Sequence, residues 1–454
     1  MKKILITIVA AFMASTLPAQ PTLVHEFGNT NDGTKPQCSV ISDGTFLYGT
    51  AMEGGTNNFG IIYKVRPDGT GYSKLYDFDG GVNGSHPYGE LLSIGTTLYG
   101  MTYDGSTGYG VLYKIKNDGT GMTKLLDFGG VNGQYPVGAL FSDGTFLYGM
   151  TNSTIFKIKP DGTGYTTIHT FDGTHGTNPH GSLISDGTYL YGMTSSGGNS
   201  GSNHLGLIFR IMPDGTGFTV LYEFTGPNGD GPNGSLLLEG GKLYGYTNSG
   251  GVDNQGTIFE ILPDGTGYVD LYDFHGSVGG GKPENGALVS DGTYLYGTTS
   301  GGGAHNIGTI YKIKHDGTSF TDIFDLDVTN GAFALASLFN DGTYLYGTTN
   351  SGGINSGGVV FKLGFTSAVS NVNIDQLINI YPDPSNGKFT IENTGHQNTD
   401  HRLVIFNAIG QQVYTDEHFN LQTKNIDLSN SPKGIYLLKI EGGSDNYIKK
   451  LIVQ

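Results

Sequence analysis

The chain has 454 residues, among them 77 glycines, 28 tyrosines, 24 phenylalanines and no tryptophan, and only 14 % are charged. That mixture is poor in helix formers and rich in residues of strands and tight turns, which excludes a helical bundle and favours an all-β chain. With 24 basic against 40 acidic side chains the net charge is −16, so a phosphate backbone meets repulsion and nucleic acid is set aside as a partner; the single cysteine, Cys38, excludes an intramolecular disulfide framework.

Residues 1–19 read as a secretory signal peptide. Lys2 and Lys3 precede the apolar run from Ile4 to Ala14, and small residues lead to cleavage after Ala19. The apolar run is shorter than the ~20 residues a membrane span needs.

Residues 21–365 contain one unit written seven times. The tripeptide Leu-Tyr-Gly recurs at Tyr48, Tyr99, Tyr148, Tyr191, Tyr244, Tyr296 and Tyr346, a period of about fifty residues. Within a unit the pattern predicts four strands. Strand a is exemplified by Ser182–Ile184, strand b by Thr188–Thr194, strand c by Gly206–Ile211, and strand d ends at Leu221–Phe224. Asp-Gly pairs such as Asp186-Gly187 and Asp214-Gly215 separate a from b and c from d, and are expected to form type I′ hairpin turns. Four antiparallel strands per unit form the pattern of a propeller blade. The seventh unit lacks strand d, while an orphan strand, Leu23–Phe27, precedes the first. Pairing the two orphans removes both exposed edges, so the expected fold is a seven-bladed β-propeller closed by its N-terminal strand.

In such a ring the a–b and c–d turns share one face, and the b–c and d–a loops share the other. Aspartates at the turns, for example Asp43, Asp68, Asp186 and Asp291, are expected to cap their own backbone; one carboxylate per turn is too few for calcium, and no metal or other cofactor is expected. The opposite face is longer and more varied. Its candidate ligand-binding residues are Asn83, His86, Asn132, Tyr135, Asn178, His180, Asn228, Asn233 and His305, with Lys282 and Glu284 in the sixth d–a loop. These donors and acceptors suit a glycan or a peptide, although Asn and Gly in the same loops also serve as turn formers. HExxH, GxSxG and GxxxxGK[ST] are absent, so no catalytic residue is assigned. Glu53, Glu90, Asp230 and Glu284 are isolated acids rather than a pair.

After a polar linker over residues 366–373, residues 374–454 show the alternation of a small β-sandwich. Tyr381-Pro382-Asp383-Pro384-Ser385-Asn386-Gly387 resembles the opening Y-P-N-P-x-x-G of the type A C-terminal sorting domain of the type IX secretion system. Ile405-Phe406-Asn407-Ala408-Ile409-Gly410-Gln411 resembles its central hairpin, and Gly434, Tyr436, Lys449 and Lys450 complete the motif. Asp383 stands where Asn is usual, and both residues suit the turn. The resemblance implies a Bacteroidetes-type cell, Sec export, recognition by the type IX machinery, and release or attachment at the outer-membrane surface. The seven-fold array in turn resembles the GloVer tandem repeats of choice-of-anchor bacterial surface proteins, a resemblance that brings no established activity. The residues therefore favour a secreted or surface-displayed monomeric recognition or adhesion module. A polysaccharide-active hydrolase or lyase, and a purely structural surface protein, are the alternatives left open.

Overall fold

The computed structural model describes residues 20–28, 31–105, 107–199, 205–277, 279–364, 378–382, 385–393, 401–407, 412–419, 423–429, 431–442 and 445–453. The signal peptide, the linker, and Asp383, Pro384 and Gly410 of the sorting motif lie outside them. The chain divides into two compact units, Leu17–Phe365 and a second that holds Thr366–Gln454. No helix of the described residues is long and apolar enough to cross a membrane.

The larger unit is a ring of seven antiparallel sheets. Six of them run a-b-c-d in chain order; the second carries an extra short pairing, Ser85–Pro87, on its strand b. In the fourth sheet the strands are Thr177–Ser185, Leu190–Ser196, Leu207–Ile211 and Thr219–Glu223. The seventh sheet takes its outer strand from the N-terminus: Thr22–Glu26 pairs antiparallel with Val359–Gly364, with Thr22 opposite Lys362 and Glu26 opposite Val359.

Seven apolar seams fill the spaces between adjacent sheets. The last closes the ring, joining Val24, Phe27, Tyr346 and Val360 of the seventh sheet to Val40, Leu47 and Tyr63 of the first. The repeated motif explains the seams. The glycine of Leu-Tyr-Gly leaves room for the strand c aromatic: a Cβ on Gly192 would lie 2.6 Å from the Phe209 ring. In several units an aromatic just after the c–d turn stacks on strand d of the preceding sheet, Tyr72 on His25 at 3.8 Å, Tyr268 on Tyr222 at 3.8 Å and Phe320 on Tyr272 at 3.8 Å.

The Asp-Gly turns are hairpins but not type I′. Positive φ falls on the glycine alone, 87° at Gly44 and 86° at Gly69, and no aspartate of these turns shares it. The reason is the carboxylate. Asp43 accepts from the amides of Thr45 and Phe46, both at 2.8 Å, and from the Tyr48 hydroxyl at 2.7 Å. Burial opposes ionisation there, but these donors hold the Asp43 carboxyl below the usual aspartate range. In the c–d turn Gly69 N donates to Arg66 O at 2.8 Å and Arg66 N to Thr70 O at 2.9 Å, a three-residue loop with glycine in the left-handed position.

In the second unit Ile378–Tyr381, Lys388–Asn393 and Thr423–Asp427 form one sheet, and Gln412–Phe419, His401–Asn407, Gly434–Gly442 and Asp445–Val453 form another. Phe389, Ile391 and Ile426 pack against Leu403, Ile405, Tyr436 and Leu438 as their common core. Gly387 takes φ 94°, and a Cβ there would meet the Ser429 backbone at 2.7 Å.

Candidate functional site: the loop ring around the axis

The innermost strands turn alternate side chains toward the axis. One layer presents Ser39, Glu90, Ala139, Ser182, Ser235 and Ser337 to an axial cavity of about 30 Å³, room for about one water. Neighbouring sheets are stitched here: Ala139 N donates to Ser182 Oγ, Ser182 N to Ser235 Oγ and Ala287 N to Ser337 Oγ, each at 2.8 Å. Glu90 is the acid among these small side chains, and burial pushes its carboxyl above the usual glutamate range against the pull of the Ser39 hydroxyl. Cys38 lies beside it with its thiol pushed up to about 12 by burial. Above this layer Tyr88 reaches over the axis to Asn285 of the sixth sheet, 3.4 Å from Nδ2 to Oη.

Around that mouth the d–a loops place seven equivalent residues: Lys35, His86, Tyr135, Asn178, Gly231, Lys282 and Phe333. All but the last precede proline. The six with side chains have φ between 49° and 58°, a left-handed conformation that costs an L-residue about 1–2 kcal/mol. Backbone bonds to two sheets hold them there. The Lys282 amide donates to Gln255 O of the preceding sheet at 2.7 Å, and its carbonyl accepts from Ser300 N of its own sheet at 3.1 Å. His86 N reaches Phe59 O at 2.8 Å, Tyr135 N reaches Tyr109 O at 2.9 Å, and Phe333 N reaches Ile307 O at 3.0 Å. The threonine that ends strand b shapes the adjoining loop: Thr299 Oγ1 donates to Gly301 O at 3.0 Å and Thr349 Oγ1 to Ser351 O at 2.9 Å.

Of the residues expected from sequence, His86, Tyr135 and Asn178 belong to this ring. Tyr135 stacks on Tyr103 at 4.8 Å, with Tyr109, 38 % exposed, at its edge. His86 Nδ1 lies 3.0 Å from Asp104 Oδ2. His180 lies on the innermost strand of the fourth sheet, Thr177–Ser185, where burial lowers its pKa from the usual histidine value, and Asn233 takes the matching place in the loop before the innermost strand of the fifth sheet, Leu237–Glu239. Asn83, Asn132 and Asn228 serve the scaffold instead. Asn83 Nδ2 donates to Tyr76 Oη at 2.8 Å, Asn228 Nδ2 to Tyr222 Oη at 2.7 Å, and Asn132 Nδ2 to Asp127 O at 3.0 Å. His305 is exposed on a b–c loop. Sequence patterning alone does not single out Lys35 and Phe333, although a residue held between two loops before Pro36, Pro87, Pro136, Pro179, Pro232 and Pro283 is a usable signal.

On the sixth and seventh sheets the ring borders a cleft of about 560 Å³ lined by Gln255, Lys282, Glu284, Asn306, Phe333 and Asn350, among others. Glu284 accepts from Asn248 Nδ2 at 3.2 Å, and Glu53 is tied to Lys35 at 2.7 Å. Glu90 faces the axial cavity instead, so these acids occupy three separate surroundings. Among the described residues no group of three or more His, Cys, Asp or Glu could hold a metal ion.

Two overlapping stretches, residues 11–202 and 151–294, match the family model of the Gloeobacter/Verrucomicrobia repeat and together span more than half of the chain. Residues 379–454 match that of the secretion system C-terminal sorting domain. No curated protein matches the chain. Similar solved structures include the extracellular domain of a hybrid two-component system from B. thetaiotaomicron, with 12 % identity, a TM-score of 0.52, and 97 % of this chain on 58 % of that one. The extracellular domain of a one-component system from the same organism gives 13 %, 0.50, 97 % and 59 %. A puromycin-hydrolyzing peptidase of Mycobacterium tuberculosis gives 14 %, 0.50, 83 % and 62 %. The chain thus spans about three fifths of the length of each, and the likeness concerns the fold alone.

Proposed function

The chain belongs to the Gloeobacter/Verrucomicrobia repeat family and carries a type IX secretion system C-terminal sorting domain, which makes it a secreted or surface-attached protein, and on that footing we propose that it is a recognition and adhesion module. The ligand sits on the loop ring around the axis, and is a glycan or a peptide. One observation carries this reading. Seven copies that repeat their strand and turn residues place seven positions in register on one face, and fill them with Lys, His, Tyr, Asn, Gly, Lys and Phe. Six of those residues are held in a left-handed conformation that glycine would adopt without cost. Strain kept at a set of diverse, solvent-facing side chains is a feature of ligand sites, whereas a ring that only spaced the sheets would be served by glycine throughout.

A glycan and peptide array probed with the secreted chain tests the proposal. Hits are expected to fall at least tenfold in a variant combining His86→Ala, Tyr135→Ala and Asn178→Gly, and to persist when Asp186 on the opposite face is replaced. Hits indifferent to the ring variant would move the site elsewhere, and an array with no hits would remove recognition as the function.

A further inference from the structure

Two of the ring's three basic side chains already have an acid partner. Lys35 pairs with Glu53 at 2.7 Å, and His86 lies 3.0 Å from Asp104. Both acids occupy the same place, the fifth residue after the tyrosine of Leu-Tyr-Gly in the same sheet. In the sixth sheet, counting from Tyr296, that place is Gly301. Lys282 consequently has no carboxylate within 4 Å among the described residues, and its side chain is exposed at the edge of the 560 Å³ cleft that Gly301 also lines. From its ring residue to the tyrosine of Leu-Tyr-Gly the sixth unit is also one residue longer than its sisters. Between proline and glycine it holds both Glu284 and Asn285, where the second holds Tyr88 alone. Glu284 is turned to Asn248 and leaves the ammonium unneutralised.

We infer that this cleft takes a sugar bearing a carboxylate, a uronic acid residue of a polysaccharide, whose carboxyl group stands in for the acid that Gly301 replaces. This rests on the recognition reading and specifies its ligand. The lining favours a sugar over an acidic peptide. Gln255, Asn306 and Asn350 supply amides, which suit neighbouring hydroxyls. Phe333, 40 % exposed, offers one ring face for the C–H side of a pyranose. Neither a second cation nor a strand edge of the kind that captures peptides lines the cleft.

Calorimetric titration of the secreted chain, sorting domain included, with tetraglucuronate, its carboxyl-reduced neutral counterpart and tetraglutamate tests the inference. Tetraglucuronate should bind, and Lys282→Gln should weaken it about two- to fivefold, as expected for an exposed ion pair. Gly301→Glu should weaken it further by rebuilding the pair seen at Lys35. The position accepts a side chain, since Gly301 is outside the positive-φ region and a Cβ there meets nothing closer than 3.7 Å. Lys116→Gln, an exposed lysine beside a c–d turn on the opposite face, should bind as the parent does. A thermal midpoint for each variant separates lost binding from lost fold, and Lys282→Gln decides alone if the glutamate variant unfolds. Absence of tetraglucuronate binding, equal binding of the neutral sugar, or tetraglutamate binding as tight as tetraglucuronate would each overturn the inference. Array ligands lost in the ring variant but indifferent to Lys282 would sink this inference and leave the recognition reading standing; a silent array together with silent titrations would sink both.

Discussion

His25 and His169 occupy a column of outer-strand positions that is Tyr76, Leu126, Tyr222, Tyr272 and Phe324 elsewhere in the ring. His169 lies flat on Phe218 at 3.9 Å, and its buried Nε2 finds no hydrogen-bond partner among the described residues. Burial, aided by His175 and opposed by Asp172, lowers its pKa to about 4 from an ordinary 6.5. Between those values an unfolded chain binds a proton that the folded chain refuses. Stability present above pH ~6.5 is therefore lost as pH falls, and the loss is complete near pH ~4. The residue is only partly buried, so screening reduces the effect to roughly 1–2 kcal/mol. Urea unfolding at pH 7 and pH 4 should show that much less acid sensitivity in His169→Phe than in the parent chain. An unchanged pH dependence would mean that the stacked imidazole protonates without penalty.

At the scale of the turn, the glycine of each Asp-Gly pair meets two different demands. In the a–b turns it supplies positive φ in open space: Gly292 has φ 86°, and a Cβ added there would meet nothing within 4 Å. In the c–d turns it also lies against the preceding sheet, and a Cβ on Gly265, φ 91°, would sit 2.9 Å from Leu221 O. Gly292→Ala is therefore expected to cost about 1–2 kcal/mol for backbone strain alone. Gly265→Ala should cost at least about 1 kcal/mol more, because a carbonyl of the neighbouring strand must move. Equal midpoints in urea would show that the seam yields freely. The two turns look alike in sequence, which is why Asp-Gly locates the hairpins yet points to the wrong turn type: the dipeptide does not reveal that the carboxylate caps the amide two residues on, and in the a–b turns the one after it, and keeps aspartate out of the left-handed region. Strand order was legible because alternation and Leu-Tyr-Gly repeat in every unit. The ring of Lys35, His86, Tyr135, Asn178, Gly231, Lys282 and Phe333 was only half legible, because its members share a backbone position and no side-chain chemistry.

For the molecule as a whole, the ring has one non-covalent junction that differs in kind from the other six. Six sheets are built from consecutive chain, and the seventh needs Thr22–Glu26 to return from the far end of the sequence. Removing residues 21–28 would strip Val24 and Phe27 from the closing seam and bare the backbone edge of Val359–Gly364. Burial of those two side chains is worth about 3–6 kcal/mol by area, before any strand hydrogen bond is counted. The loss cannot stay local, since the first and seventh sheets each lose a packed face and each holds the next sheet in place. The truncated chain should unfold in urea with a midpoint lower by that free energy, and should self-associate through the exposed edge. A synthetic peptide of residues 21–28 added in excess should restore both the midpoint and the monomer. If truncation instead left the midpoint unmoved, the seven seams would be independent, and the loop face, whose residues are held by bonds from one sheet to the next, could not owe its rigidity to closure.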